Sequence, residues 1–404
     1  MRTYRELFLT KEFTPLFLAA SGQTAAQTVS GLALGILVYQ RTGSALLSSL
    51  AMFAPALAHM VGAATVLSGA DRLPPRAAMT GLSLLFGAGT ALQAIPGLPV
   101  WGMFLVLLGL GVVGSVSGGV RYGLLNEILP RDGYLIGRSM LNMSFGIIQI
   151  CGFAVGGALV TVLSARGTLL LSAVLYLLAA VVACCGLSSR PPRGAGRTSV
   201  AETWRTNARL WSSLPRRYVY LALWVPNGLI VGVESLYVPY SPNDAGMLFA
   251  FGAVGMLIGD VAVGRFLPAR WRGRLAVPLC VLLAAPYLLF ALHPGLPVAL
   301  VLVTVATFGY AAGLLLQDRL MALTPDELSG QALGLHSSGM LTMQGVGAAV
   351  AGSVAELTSP ATGIVATAAV SLATTLLLAP GLIRGMATGD KKKDPDQDAA
   401  PARQ

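Results

Sequence analysis

Glu234 stands in "IVGVESLYVPY", a carboxylate with apolar residues on both sides in a stretch otherwise fit to lie in lipid. An ionisable group inside such a run is costly to insert and is a functional candidate by default. Asn227 lies seven residues before it and Tyr237 three after. At helical spacing the amide, the carboxyl and the phenol therefore share one stripe. A carboxyl shielded from bulk water there can exchange a proton or pair with a cationic ligand. Pro226 and Gly228 weaken the helix beside it and free a carbonyl.

A second polar stripe comes from Gln23, Gln27 and Ser30, at i, i+4 and i+7. Asn142 and Gln149 are seven apart, Thr307 and Tyr310 three apart, and His336 and Gln344 eight apart. The expected cavity lining is thus Gln23, Gln27, Asn142, Gln149, Asn227, Tyr237, Tyr310 and Gln344, with Glu234 as the proton-coupling or cation-pairing group. A mostly neutral lining with one acid suits a small hydrophobic compound, neutral or cationic. Arg121, Asp260 and Asp318 fall toward span ends, and no arginine or lysine stands at mid-depth, which argues against an anionic substrate.

These groups must be held by membrane helices. Of 404 residues, 55% are hydrophobic and 11% charged, against roughly 25% charged in soluble domains. The chain is expected to be an all-α integral membrane protein. A helix needs about 20 apolar residues to cross the hydrocarbon core. Cutting at charged and Pro/Gly-rich breaks gives twelve candidate spans: 14–39, 44–68, 77–95, 99–126, 136–163, 167–188, 218–240, 243–264, 275–292, 296–318, 331–355 and 361–383. The basic, then apolar, N-terminus reads as a retained first span rather than a cleaved signal. On this division nearly every arginine falls on one face, with only Arg41 and Arg166 on the other. The net charge of +10 is then a positive-inside signature with both termini cytoplasmic, not a nucleic-acid surface, for which no basic cluster is interleaved with aromatics.

Short echoes recur at nearly one offset: "PGLPV" at 96–100 and 294–298, "LPPR" at 73–76 with "LPAR" at 267–270, "LLNE" at 124–127 with "LLQD" at 315–318, and "LIGR" at 135–138 with "LSGQ" at 328–331. They superpose span 7 on span 1. The expected organisation is a six-helix half over 1–188, a cytoplasmic linker over 189–217, a second six-helix half over 218–385 and a disordered tail over 386–404. Parallel repeats of this kind mark a transporter whose halves rock about a site at the midplane.

With these residues in view, the whole chain resembles a major facilitator superfamily (MFS) transporter, closest to the bacterial multidrug and macrolide-efflux-like branch. "LSGADRLPPR" is similar to the superfamily pattern G-x-x-x-D-R-x-G-R-R, with Asp71, Arg72 and Arg76 in register and Leu67, Pro74 and Pro75 as departures. "CGFAVGG" is similar to the antiporter signature G-P-x-x-G-G through Gly152, Gly156 and Gly157, with Phe153 where Pro is usual. The resemblance implies a cytoplasmic latch of Asp71, Arg72 and Arg76, with Asp260 and Arg265 as its second-half counterpart. It also implies export by antiport across the bacterial inner membrane.

No GxxxxGK[ST] loop is present, so an ion gradient, here protons, is the expected energy source, unless transport is passive. Cys151, Cys184, Cys185 and Cys280 all lie in apolar runs without metal-ligand spacing. HxxxD, DDxxD and HExxH patterns are absent, so neither a cofactor nor enzymatic chemistry is expected. The expected partners are a small-molecule substrate, protons and the bilayer, for a monomer. Import or uniport of a metabolite, or lipid translocation, are the alternatives.

Overall fold

A computed structural model describes residues 4–65, 73–191 and 200–390, and among these the secondary structure is entirely helical. The helices are α1 (Tyr4–Leu9), α2 (Phe13–Thr42), α3 (Ala45–Thr65), α4 (Pro75–Gln93), α5 (Val100–Ile128), α6 (Arg131–Gly186) and α7 (Val200–Ser212). They continue with α8 (Leu214–Ser235), α9 (Tyr237–Tyr240), α10 (Ala245–Val261), α11 (Ala269–Ala284), α12 (Leu296–Phe308), α13 (Ala312–Ala322), α14 (Ser329–Leu357) and α15 (Pro360–Asp390). Seven helical stretches among the described residues are long and apolar enough to cross a membrane. Within the described residues, the twelve stretches read from the sequence fall mainly on helix. The helices α2, α4 and α14 are not among those seven.

The sequence expects a turn between 163 and 167, whereas α6 runs on as one element with a single break, Ser164 at φ 69°. That left-handed residue reverses the chain. Before it, Gly137 faces Phe13, Gly152 faces Thr28 and Gly156 faces Leu32; after it, Ala179 faces Gly22 and Pro15 lies against Gly186. The first arm therefore ascends along α2 and the second returns along it.

The expected linker is partly helical. α7 occupies Val200–Ser212, and Trp211 stacks on Trp224 of α8 with ring centroids 5.6 Å apart. Asn207 accepts a 2.7 Å hydrogen bond from Gln331. At the other terminus α15 extends to Asp390, past the expected boundary at 385.

Packing divides into three apolar clusters. One is drawn from Leu7 to Leu187 and a second from Val219 to Leu382, both towards the end of the molecule where the arginines gather. The third, at the opposite end, mixes residues of both segments, with Leu32, Val38 and Ala54 joining Ile230, Leu248 and Ala351. There α3 lies along α14, and α6 along α10. Gly157 packs directly on the Gly246 backbone, an approach that any Cβ would block. Ser235 Oγ lies 2.9 Å from Ser49 Oγ, and the Tyr39 hydroxyl donates to the Pro239 carbonyl at 3.4 Å. Glu356 accepts from the Ser44 hydroxyl and the Leu46 amide at the start of α3, where a carboxylate suits the helix dipole.

The serine contact provides a test. In a background lacking the four cysteines, Ser49→Cys with Ser235→Cys is expected to oxidise to a disulfide and lose maleimide-polyethylene-glycol labelling. A pair at Glu127 and Asp318, one on each segment at the arginine-rich end, is expected to stay reduced. The reverse pattern would show the wrong end closed.

Candidate functional site

Beneath the shared cluster lies a cavity of about 300 Å³. α8 and α9 present Asn227, Glu234 and Tyr237 to it, the stripe read from the sequence. α10 adds Phe249, Met256 and Asp260, and α14 adds His336, Met340 and Gln344. The first segment contributes Phe53 of α3, with Gly146, Gln149 and Phe153 of α6. Phe153 and Phe249, one from each segment, stack against each other at the cavity wall with centroids 4.9 Å apart.

Glu234 is the next-to-last residue of α8 and is partly exposed to the cavity, while Val233 and Ser235 on either side are buried. Its Oε1 accepts a 3.0 Å hydrogen bond from the Tyr310 hydroxyl. Tyr310 stands in the short 3₁₀ stretch Gly309–Ala311 between α12 and α13. Tyr237 (1% exposed) and Tyr287 (0%) hydrogen-bond each other at 2.6 Å. One carboxyl is thus held by a phenol and backed by a phenol pair. Ionised, it accepts from Tyr310; protonated, it can donate in turn. The aromatic faces around it suit an apolar ligand or an organic cation.

Gln344 Nε2 donates to Asn227 Oδ1 at 3.4 Å, so these two amides meet as a pair. His336, 5% exposed, has a buried Nδ1 without a hydrogen-bond partner. Gln149 lines the cavity; Asn142 lies on α6 and its side chain is outside those described.

Gln23 and Gln27 are not among the cavity-lining residues. Gln23, 5% exposed, donates its amide to Ser83 of α4, while Gln27 is exposed. Of the expected latch, Asp71 and Arg72 lie outside the described residues. Arg76 contacts Cys184 Sγ at 3.6 Å, Asp260 lines the cavity, and Arg265 is exposed on the π turn Ala262–Phe266. Arg121 does not pair with Glu127, which lies 3.8 Å from Arg190; it reaches Gln23 and Phe145 instead. Tyr287 escaped the sequence reading, since a tyrosine inside "APYLLFAL" looks like any core aromatic; only the phenol opposite reveals its part.

Apolar helices that pack around a cavity with a few polar groups, shared by two segments of the chain, are the build of a transporter. A family profile described as Major Facilitator Superfamily matches residues 16–317. The chain belongs to that superfamily of membrane transporters. A search of curated proteins by sequence gives no match. Among solved structures, it is similar to a bacterial homolog of the human lysosomal transporter Spinster in an inward-facing, unoccupied conformation, with TM-score 0.73, 13% identity, and 97% and 98% of the two chains covered. It is also similar to a POT family transporter in complex with 5-aminolevulinic acid (0.70, 10%, 92% and 96%) and to the nucleoside transporter NupG (0.67, 13%, 92% and 99%). At these identities the likeness is one of fold.

The phenol pair can be tested by a double-mutant cycle. Tyr287→Phe leaves the Tyr237 hydroxyl buried and unpaired, a cost of about 1–3 kcal/mol. The single variant is expected to unfold at a lower temperature in detergent. Tyr237→Phe with Tyr287→Phe removes both hydroxyls and should recover most of the loss. Strictly additive losses would show that the hydroxyls do not interact.

Proposed function

We propose that this transporter is a proton-coupled exporter of small hydrophobic organic compounds, neutral or cationic, working by alternating access. The observation that carries the reading is Glu234, an acid hydrogen-bonded to Tyr310 in a cavity otherwise lined mainly by aromatic, aliphatic and amide groups. Protonation of Glu234 from outside and its release inside would alternate with the binding of substrate in the same cavity. Two six-helix halves, twelve crossings in all, rock about that site. The arginine-rich end faces the cytoplasm of a bacterial inner membrane, with both termini inside, and the protein acts as a monomer. The separation of the apolar clusters at that end supports an inward-open arrangement. The antiporter-like "CGFAVGG" favours export.

A second reading, a metabolite importer or uniporter, draws support from the described substrates of similar folds, peptides and nucleosides among them. Lipid translocation on the same scaffold would use the same rocking.

The test is accumulation of fluorescent neutral and cationic compounds in efflux-deficient cells, with and without a protonophore. The protein is expected to lower accumulation, and both Glu234→Gln and the protonophore are expected to restore it. A mutant that still exports while the protonophore still blocks would move the coupling site elsewhere. A panel left untouched by the wild-type protein would favour the metabolite reading.

A further inference from the structure

Arg121 carries a charge that the cavity around Glu234 does not use. It stands seven residues before the end of α5, about 10 Å inside the helix terminus at 1.5 Å per residue. From the sequence it lies too near the span end to serve an anion; the structure gives it a different setting. Its Nε is enclosed and has no hydrogen-bond partner. Nη2 approaches the Gln23 side-chain oxygen at 3.5 Å, and the guanidinium lies 4.5 Å over the Phe145 ring. Both neighbours are neutral. Among the described residues no carboxylate lies within ion-pair distance, and the nearest acid along the chain, Glu127, is engaged by Arg190.

The neutral partners are themselves fixed. Gln23 donates its amide nitrogen to Ser83 Oγ, whose hydroxyl donates in turn to the Met79 carbonyl at 2.9 Å. This chain turns the Gln23 oxygen, not its nitrogen, towards the arginine. Phe145 covers one face of the guanidinium and immediately precedes Gly146, a residue of the cavity wall. Gln27, one turn beyond Gln23 on the same helix, is exposed and offers a further amide. A guanidinium does not lose its proton in a protein, and its planar fork matches the two oxygens of a carboxylate or phosphate group. Such a charge kept within a membrane segment, with no counter-charge among the described residues, calls for a mobile one.

We propose that Arg121, oriented by Gln23 and Phe145, forms an anion-binding site within the first segment, taking a carboxylate or phosphate group. The group comes either from a free anion or from the anionic end of an amphoteric substrate. The site is independent of Glu234, and its test needs no transport, so the two readings can fail separately.

The experiment is thermal unfolding of the purified full-length protein in detergent, followed by tryptophan fluorescence. The probes are sodium phosphate against sodium chloride at equal ionic strength, and ε-aminocaproate against its methyl ester, which differ in the anionic end. Wild type is expected to show a saturable rise in Tm with phosphate, with aminocaproate, or with both. Arg121→Gln should lose the rise, and Arg121→Lys should keep it weakened. A rise with phosphate identifies a free-anion site; a rise with aminocaproate alone identifies the end of an amphoteric molecule. Gln23→Glu guards against misfolding of the arginine variants. It supplies an internal carboxylate, so it should raise the ligand-free Tm and abolish the response to either probe. No saturable rise in wild type, or an equal rise in Arg121→Gln, overturns the proposal.

Discussion

The arrangement depends on how closely two stretches of chain approach at one end. Lipid tails are as apolar as leucine, so membrane helices gain little from hiding apolar surface and associate through close packing and hydrogen bonds. Here the approach is made by small residues: Gly157 on Gly246, Ser49 beside Ser235, and Gly352 against Leu46. A seam of this sort holds by shape. No ion pair among the described residues crosses it; the nearest thing is the Glu356 carboxylate capping the first turn of α3. Contacts that lose little when they part are what a reversible closure requires.

The cavity owes its position to that seam. Closing one end brings α8, α10 and α14 against α3 and the first arm of α6, so the space below is bounded by both segments while its polar groups come chiefly from the second. Glu234, Tyr310, Asn227 and Gln344 all belong to residues after the linker, whereas the first segment faces them with phenylalanines and Gln149. The charge on the first segment's side, Arg121, is held apart by Gln23 and Ser83. Opposite charges are thus kept on different segments rather than neutralising each other in one place.

Much of this was legible from residue order. Glu234 announced itself because a carboxylate in an apolar run has few innocent explanations, and period 3.6 placed Asn227 and Tyr237 on its face. The repeats fall in matching places, "LPPR" and "LPAR" opening α4 and α11. What spacing cannot tell is which face a stripe meets. Gln23 was expected in the cavity lining, yet its partners are Ser83 and Arg121, sixty and ninety-eight positions away. Tyr287 was invisible for the same reason. The continuous α6 shows the converse: one left-handed serine does the work for which a polar turn was expected, with few local signs in "TVLSARG".

The docking of α7 has a mechanical consequence. With Trp211 stacked on Trp224 and Asn207 tied to Gln331, this helix is fastened to the second segment. Along the chain, the covalent connection from the first segment to this helix then runs from Pro191 to Val200. At 3.3–3.6 Å per residue its fully extended reach is about 30 Å. Any separation of the two segments at the arginine-rich end meets a ceiling set by the length of that short leash. Lengthening that leash, or unstacking one indole, alters the permitted stroke without touching a single group in the cavity.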